Sequence, residues 1–485
     1  MIGKNTLEIG AEDFVLGMTT SPDTQDGGFS NESTQINIQV APGVLHSGGQ
    51  IANRYEYFNG DIIATCGDAK NSGIGNDKIF VSDTAYFYTY DGTTTTQRQT
   101  GVKTYTGATT DIIQYKTDTF CTSDQNIARL IQTNLSQPDA NWESWWTITQ
   151  GKTALLQGFR HPMVIFEDSL WIADGRYLHK WDGTTATHGF LTLSSEQSIV
   201  SLCVDPSSGK MLIGTNEAWN AASTKPAISK VLTFNGYSNK PDRAVIVDDM
   251  VTAMYPLGGI VYMCYGNKLG YWVSTGIAYL RTLKYVTYDA DYLVYKHQIT
   301  NIGNTLYVAD TTYILAYGEV LPGKKVFYYT ANPTNYIQGG YISALCFLRG
   351  ISAASTRELG IFGRNSSITY LLAQTINSTT TLTNGAFYSK RYKFQRPIQI
   401  RGLYVEYGGG VANNLTPGAC YFVDTKTGGD VSIGSLLNDT GVTAYDIYTK
   451  HNGNKKVRTL QFKYTFNGNS MPGIKRFIID YDVVE

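Results

Sequence analysis

The chain has 485 residues, of which 16% are charged and 42% hydrophobic, and its 39 Lys and Arg against 40 Asp and Glu leave a net charge of −1. That length exceeds one ordinary domain, and the charge balance excludes a nucleic-acid binder that works by bulk electrostatics. The 35 tyrosines and 49 glycines suit short strands joined by tight turns, and no window carries the Ala/Glu/Lys/Leu/Arg periodicity of a helix bundle.

At the N-terminus, Lys4 is followed by mixed polar residues rather than an apolar core, so no signal peptide is expected. Residues 1–50 read as a polar arm carrying one strand. In Gln35–Val40 the side chains of Ile36, Ile38 and Val40 fall on one face, and Pro42-Gly43 ends the run. A strand this short has no hydrogen-bond partners of its own and must join an existing sheet. The candidate sheets are the last blade of the repeat described next, the C-terminal domain and a neighbouring subunit. Gly48 and Gly49 give the arm reach and favour the last two.

From Ile51 onwards a repeat emerges. Phe80–Thr93, Trp171–Thr184 and Tyr307–Gly318 align without gaps: each has an aromatic three residues before an aspartate (Asp83, Asp174, Asp310), and further aromatics three and seven residues after it. An apolar strand arriving at Asp, then an aromatic strand often ending in Asp-Gly, is a β-hairpin signature, with the Asp expected to cap its own turn. Weaker copies centre on Asp124, Asn216, Gly266 and Asn365, so the seven markers recur every ~45 residues, the period of a propeller blade. Met163–Asp168, Ile199–Asp205, Val251–Pro256 and Ile342–Leu348 read as inner strands preceding these hairpins. The longest apolar region, Val251–Tyr265, is interrupted by Pro256, Gly258 and Gly259, so no membrane-spanning helix is expected. The fold expected for residues 51–388 is therefore a β-propeller of about seven blades. After Ser389, long alternating strands (Arg396–Gly410, Gly418–Gly429, Arg458–Ser470, Ile474–Val484) point to a β-sandwich-like domain over 389–485.

The search for chemistry yields no catalytic, cofactor-binding or metal-ligating residues. Cys66, Cys121, Cys203, Cys264, Cys346 and Cys420 are scattered and read as buried free thiols of a protein folding in a reducing cytoplasm. The histidines (His46, His161, His179, His188, His297, His451) form no metal-binding helical pair, and His179 reads as a packed strand residue. No nucleophile elbow or phosphate-binding glycine loop is present. Glycosidases need paired carboxylates. Asp248 and Asp249 should point to opposite sides, and Asp289 and Asp291 sit in a turn-like stretch. Lys324-Lys325 and Lys455-Lys456-x-Arg458 read as solvated hairpin tips.

The layout of a polar arm with a short strand and Pro-Gly turn (Ile36–Gly43), degenerate blades such as Leu170–Thr184, and a terminal β-domain ending in Ile474–Val484 resembles the propeller-containing tail proteins of bacteriophages. The likeness is greatest to nozzle-type proteins, although this chain is short for one. It implies a non-enzymatic virion protein that forms a homo-oligomeric ring, commonly six-fold, around a DNA channel. It also implies contacts with adaptor and fibre proteins, no cofactor, and DNA passing without specific binding during retention and ejection. Gln35, Ile36, Ile38 and Val40 would then be an assembly strand, added to a sheet edge of a neighbour or of the C-terminal domain. Two other readings compete: a receptor- or glycan-binding propeller module, and a glycan-cleaving propeller enzyme. If the arm serves assembly alone, a chain lacking residues 1–40 should unfold thermally as the full chain does, yet fail to form rings in light scattering.

Overall fold

The computed structural model describes most of residues 110–484, leaving out 117, 124, 131–141, 144, 218–227, 285–293, 332, 334–339, 350–356, 366–368, 376–384, 413–414, 424–428, 439 and 468–472. Before that it describes 5–18, 28–30, 33, 36–37, 45–47, 51–58, 64–66, 79–82, 87–90 and 95–97. The chain divides into two compact units: Met1–Ala52, Tyr313–Asn332 and Gln374–Glu485 form one, and Asn53–Thr312 with Pro333–Ala373 form the other.

The second unit has a propeller arrangement. Six four-stranded antiparallel sheets follow one another along the chain, beginning at Ala64–Cys66, Asp111–Tyr115, Met163–Phe166, Gln197–Asp205, Val251–Leu257 and Tyr341–Arg349. A further hairpin, Ile299–Ile302 with Thr305–Asp310, lies between the last two. The first strands touch in a closed circle: each meets the first strand of the next element, and Tyr341–Arg349 returns to Ala64–Cys66. The second strand of a blade lies inside its sheet and packs against neighbours on both faces. Ser169–Asp174 and Thr305–Asp310 are accordingly buried at every position, which is why their sequences read as apolar runs rather than alternations. Between blades the contact is apolar. Phe120, Trp145, Trp181 and Tyr115 meet edge-on, with the Trp145 and Trp181 ring centres 4.6 Å apart. Leu212, Val231, Val251 and Met263 share the cluster between the fourth and fifth sheets.

The ring is not closed at Ile51 in the way the repeat suggests. Ile51–Phe58 does not open the first blade; it is the outermost strand of the last sheet, beside Thr369–Thr375. Joining the two ends of the circle in one sheet satisfies the backbone of both and leaves no free seam.

The markers lie where the period places them, between second and third strands. Asp174 and Asp310 end their strands, Asn216 is one residue from the end of Lys210–Glu217, and Gly266 and Asn365 follow Tyr265 and Arg364. Asp83 and Asp124 lie outside the described residues, but the strands on either side of each pair as hairpins.

The turn-cap role expected of Asp174 is overturned, and Asp310 makes a matching contact. Asp174 Oδ1 accepts from Leu156 N at 2.7 Å, and Asp310 Oδ2 accepts from Lys284 N at 3.0 Å. Both side chains therefore hold the connection that leads into their own strands. They are free to do so because Gly175 and Thr311 turn the chain in the left-handed region, at φ 54° and 60°. Capping falls to other aspartates: Asp182 accepts from Thr184 N and Thr185 N, and Asp205 from Ser207 N.

The first unit centres on one eight-stranded sheet shaped as a half-barrel, in place of the expected sandwich. Its main order is Asn5–Gly10, Ile474–Val483, Tyr392–Val411, Lys456–Phe466, Leu415–Val423, Asp430–Asn438, with Ala386–Tyr388 paired to Lys456–Phe466 and Ala444–Lys450 to Tyr392–Val411. The cause is the 20-residue strand Tyr392–Val411. One edge pairs with Ile474–Val483; along the other, its first half pairs with Lys456–Phe466 and its second half with Ala444–Lys450. Shared in this way, it links both partners into the one sheet. The N-terminal arm belongs to this unit. Asn5–Gly10 extends the sheet beside Ile474–Val483, Leu45 exchanges two 2.8 Å backbone bonds with Ile474, and Phe14 meets Phe387 and Phe477 edge-on.

These contacts revise the arm's role. Ile9, Phe14 and Phe29 are fully buried, so loss of residues 1–40 removes core from this unit and does not act on assembly alone.

Two stability outcomes follow from the second unit. Asn216 Nδ2 donates to Val251 O at 2.9 Å and its Oδ1 accepts from Val251 N at 3.1 Å, clamping one blade to the first residue of the next. Asn216→Ala leaves both buried backbone groups unsatisfied and should cost about 2–4 kcal/mol, read as a lower urea midpoint. Gly266 and Gly258 both have positive φ, but a Cβ at Gly266 would strike the Asp249 carboxylate while one at Gly258 meets nothing. Gly258→Ala should therefore cost about 1 kcal/mol and Gly266→Ala distinctly more, measured side by side in the same denaturant series.

Candidate functional site

A dense polar constellation among the described residues of the second unit is built around Asp111, the first residue of its blade and 1% exposed. A buried carboxylate needs partners for its lone pairs. Oδ1 accepts from Ile112 N at 2.8 Å and lies 2.7 Å from His297 Nε2; Oδ2 accepts from Met163 N at 2.7 Å and from Lys296 Nζ at 2.8 Å. Lys296 also donates to Met163 O at 3.0 Å. The next residue along, Gln298, donates to Ile342 O at 2.8 Å and accepts from Tyr295 N at 2.7 Å.

Lys296, His297 and Gln298 form a single helical turn just ahead of Ile299–Ile302. Three consecutive side chains thus hold the first strands of three other blades: Asp111–Tyr115, Met163–Phe166 and Tyr341–Arg349. Because those strands form the inner circle, the turn reaches across its interior. A small recess beside it is lined in part by Arg160, Asn216, Thr252 and Tyr295, with the Arg160 guanidinium 3.3 Å from the centre of the Tyr295 ring.

An Asp–Lys–His group invites an acid–base reading, but its geometry is that of a clamp. Each Asp111 oxygen is already engaged by one backbone N–H and one side chain, so neither is directed at a substrate position. Burial alone would push the Asp111 carboxyl upward. The Lys296 ammonium, the His297 ring and the hydrogen bonds from both outweigh it and hold the group down at about 2.

A second cluster surrounds Asp174. His179 Nε2 lies 3.4 Å from Asp174 Oδ2, His161 Nδ1 lies 3.5 Å from Oδ1, and the His179 and His188 rings are 4.4 Å apart. Asp174, His179 and His188 bring ligand-type atoms within 4.8 Å of one another. The donor set nevertheless does not fit a metal. Gly189 N donates to His179 Nδ1 at 2.9 Å, which places the ring proton on Nε2, the nitrogen that faces the carboxylate. A metal-binding histidine needs the reverse, a bare inward nitrogen and an outer N–H donated away. His161 and His179 are fully buried, and Trp146 packs 5.1 Å from the His179 ring, so the cluster ties the blade together.

The remaining sequence candidates are placed as follows. Asp248 is exposed and Asp249 is buried and accepts from Met250 N, yet the Lys268 ammonium meets both carboxylates, at 2.8 and 3.8 Å, so the expectation that they point to opposite sides fails; the strand ends at Val247, just before them. Cys121, Cys203, Cys264, Cys346 and Cys420 are free and buried, and burial pushes the Cys203 and Cys346 thiols up to about 12. Of the assembly strand, Ile36 and Asn37 pair with Ser47 and His46 within the arm itself, a different partner from those expected. Gln35, Ile38 and Val40 lie outside the described residues, as do Asp289 and Asp291. Sequence reasoning missed Asp111, Lys296 and the binding role of His297. The only local signal was a Lys-His pair immediately ahead of a short apolar strand.

The clamp makes a pH prediction. The Asp111 group is depressed in the folded chain from 3.8 to about 2. Its contribution is therefore fully present above about pH 4 and is lost as pH falls towards 2, a change of about 2 kcal/mol. Asp111→Asn should lower Tm at neutral pH and flatten the acid limb of Tm against pH over that window.

The chain matches no family model and no curated protein. Among solved structures it is similar to the extracellular domain of a hybrid two-component system from B. thetaiotaomicron, at 12% identity and a TM-score of 0.48. The likeness covers 85% of this chain and 57% of that one, so the chain spans little more than half the length of the protein it matches.

Proposed function

We propose that the chain is a structural component of a bacteriophage tail, several copies of which form a ring around the DNA channel, and that its propeller has seven blades. The seventh blade is read as Ile299–Ile302, Thr305–Asp310, Tyr313–Leu321 and Lys324–Ala331. It is supported by the seventh first strand in the closed circle, by the pairing within each of its two hairpins, and by the marker Asp310 between them.

The observation that carries the structural reading is the use made of Asp111, Asp174, His161, His179 and His297. Among the described residues these are side chains suited to chemistry, and they are spent on structure: Asp111 and His297 join blades, while Asp174, His161 and His179 hold one blade and the connection that enters it. The resemblance in overall layout supplies the tail assignment. Since Lys296–Gln298 crosses the interior of the inner circle, DNA would run through the ring of copies and not along the propeller's own axis. With a net charge of −1, a neutral or acidic lining is expected, because Lys and Arg contacts would grip the phosphates. The strand around Ile36 remains the proposed assembly element, and adaptor and fibre proteins the proposed neighbours.

A receptor- or glycan-binding role is favoured by a different observation. Tyr237 is 77% exposed with its hydroxyl 3.2 Å from Glu167 Oε2, an aromatic face beside a carboxylate of the kind that stacks on sugars. Light scattering on the purified full chain separates the two. A closed oligomer that co-purifies with phage particles supports the tail role. A monomer that binds glycans, with binding abolished by Tyr237→Ala, replaces it with the second reading.

A further inference from the structure

Two Asn-Gly pairs lie wholly within the described residues, and the fold treats them oppositely. Asn235 is tied on both sides: its Oδ1 accepts from Tyr237 N at 2.9 Å and its Nδ2 donates to Asp242 Oδ1 at 2.9 Å. Gly236 is fixed in the left-handed region at φ 81°, and a Cβ there would meet the Phe166 ring.

Asn452 is exposed in the connection between Ala444–Lys450 and Lys456–Phe466, and its side chain makes no hydrogen bond among the described residues. Its surroundings are ordered, however. His451 N donates to Arg401 O at 2.8 Å, and the buried Gln399 side chain donates to Gly453 O at 3.0 Å and to Asn454 Oδ1 at 3.2 Å. The Gly453 N–H has no partner among the described residues. A Cβ built on Gly453 would run into His451 Nε2, so the imidazole stands against the Gly453 α-carbon, the atom bonded to its peptide nitrogen.

We propose that Asn452 is a built-in deamidation site whose reaction is assisted by the His451 imidazole. A neutral imidazole can accept a proton. Gly453 N gives its proton to His451 Nε2 and attacks Asn452 Cγ, forming the new C–N bond of a five-membered succinimide. The C–N bond to the side-chain nitrogen then breaks, and that nitrogen leaves as ammonia carrying the proton back from the imidazolium. Water next opens the ring at either carbonyl, giving aspartate or isoaspartate at position 452. The product adds one negative charge three residues before the Lys455-Lys456 pair. In its isoaspartyl form it also lengthens the backbone within the connection that Gln399 grips.

The test is incubation of the full chain at neutral pH and physiological temperature, followed by peptide mass spectrometry and isoaspartyl methyltransferase labelling. Conversion at Asn452 should outpace that at Asn235 by about tenfold or more, equivalent to about 1.4 kcal/mol in barrier. His451→Gln should slow position 452 and leave position 235 unchanged, with thermal unfolding confirming the fold. Should that variant not fold, the wild-type chain in denaturant serves instead, since the difference between the two sites should then collapse. Equal rates at the two sites in the native chain, an unaffected rate in His451→Gln, or a rate ratio that survives unfolding would each overturn the proposal.

Discussion

A ring of sheets must be held from inside, because each blade meets its neighbours through apolar faces that resist sliding only weakly. In this chain the Asp111 carboxylate supplies a directional constraint. It joins the start of its own blade to the start of the next through Met163 N, and to a turn 185 residues further on through Lys296 and His297. A buried ion pair of this kind adds little net stability over an apolar substitute, but removing one partner is costly because the other charge is left unpaired. Its effect is to fix register: the carboxylate has one arrangement in which all of its acceptors are filled.

The same division of labour recurs around the circle. Trp145, Trp181, Leu212 and Val251 provide burial, and single polar side chains provide position. Asp174 and Asp310 fasten the connection entering their own strands, while Asn216 fastens the first residue of the blade that follows. The turns themselves need little help, since Gly175, Thr311 and Gly266 adopt the left-handed backbone that closes them.

The repeat was legible because it is local. An aromatic–Asp–aromatic hairpin carries its periodicity within fourteen residues, and the spacing of Asp174, Asn216, Gly266 and Asp310 follows from the number of strands per blade. What the markers do was not legible, because Leu156, Lys284 and Val251 are brought to them only by the fold. The Asp111 hub was hidden for the same reason: no window of sequence contains both 111 and 296. Alternation along Tyr392–Val411 foretold a strand, but not that its 20 residues would serve two partners on one edge and so merge two expected sheets into one. The arm misled through composition. Its polar residues suggested a free tether, whereas three of its apolar ones, Ile9, Phe14 and Phe29, are fully buried.

The place of Ile51–Phe58 also governs the order in which the molecule can form. Its partner in the last sheet, Thr369–Thr375, lies some three hundred residues later in the chain. During synthesis that N-terminal strand emerges first and must wait, unpaired, until nearly the whole propeller has been made. Individual blades, whose contacts are local, can form early, and the circle closes only in a late, high-contact-order step. Until then both ends of the nascent propeller expose open sheet edges. Slow ring closure, and not the stability of any one blade, should therefore set how much of the chain escapes aggregation as it folds.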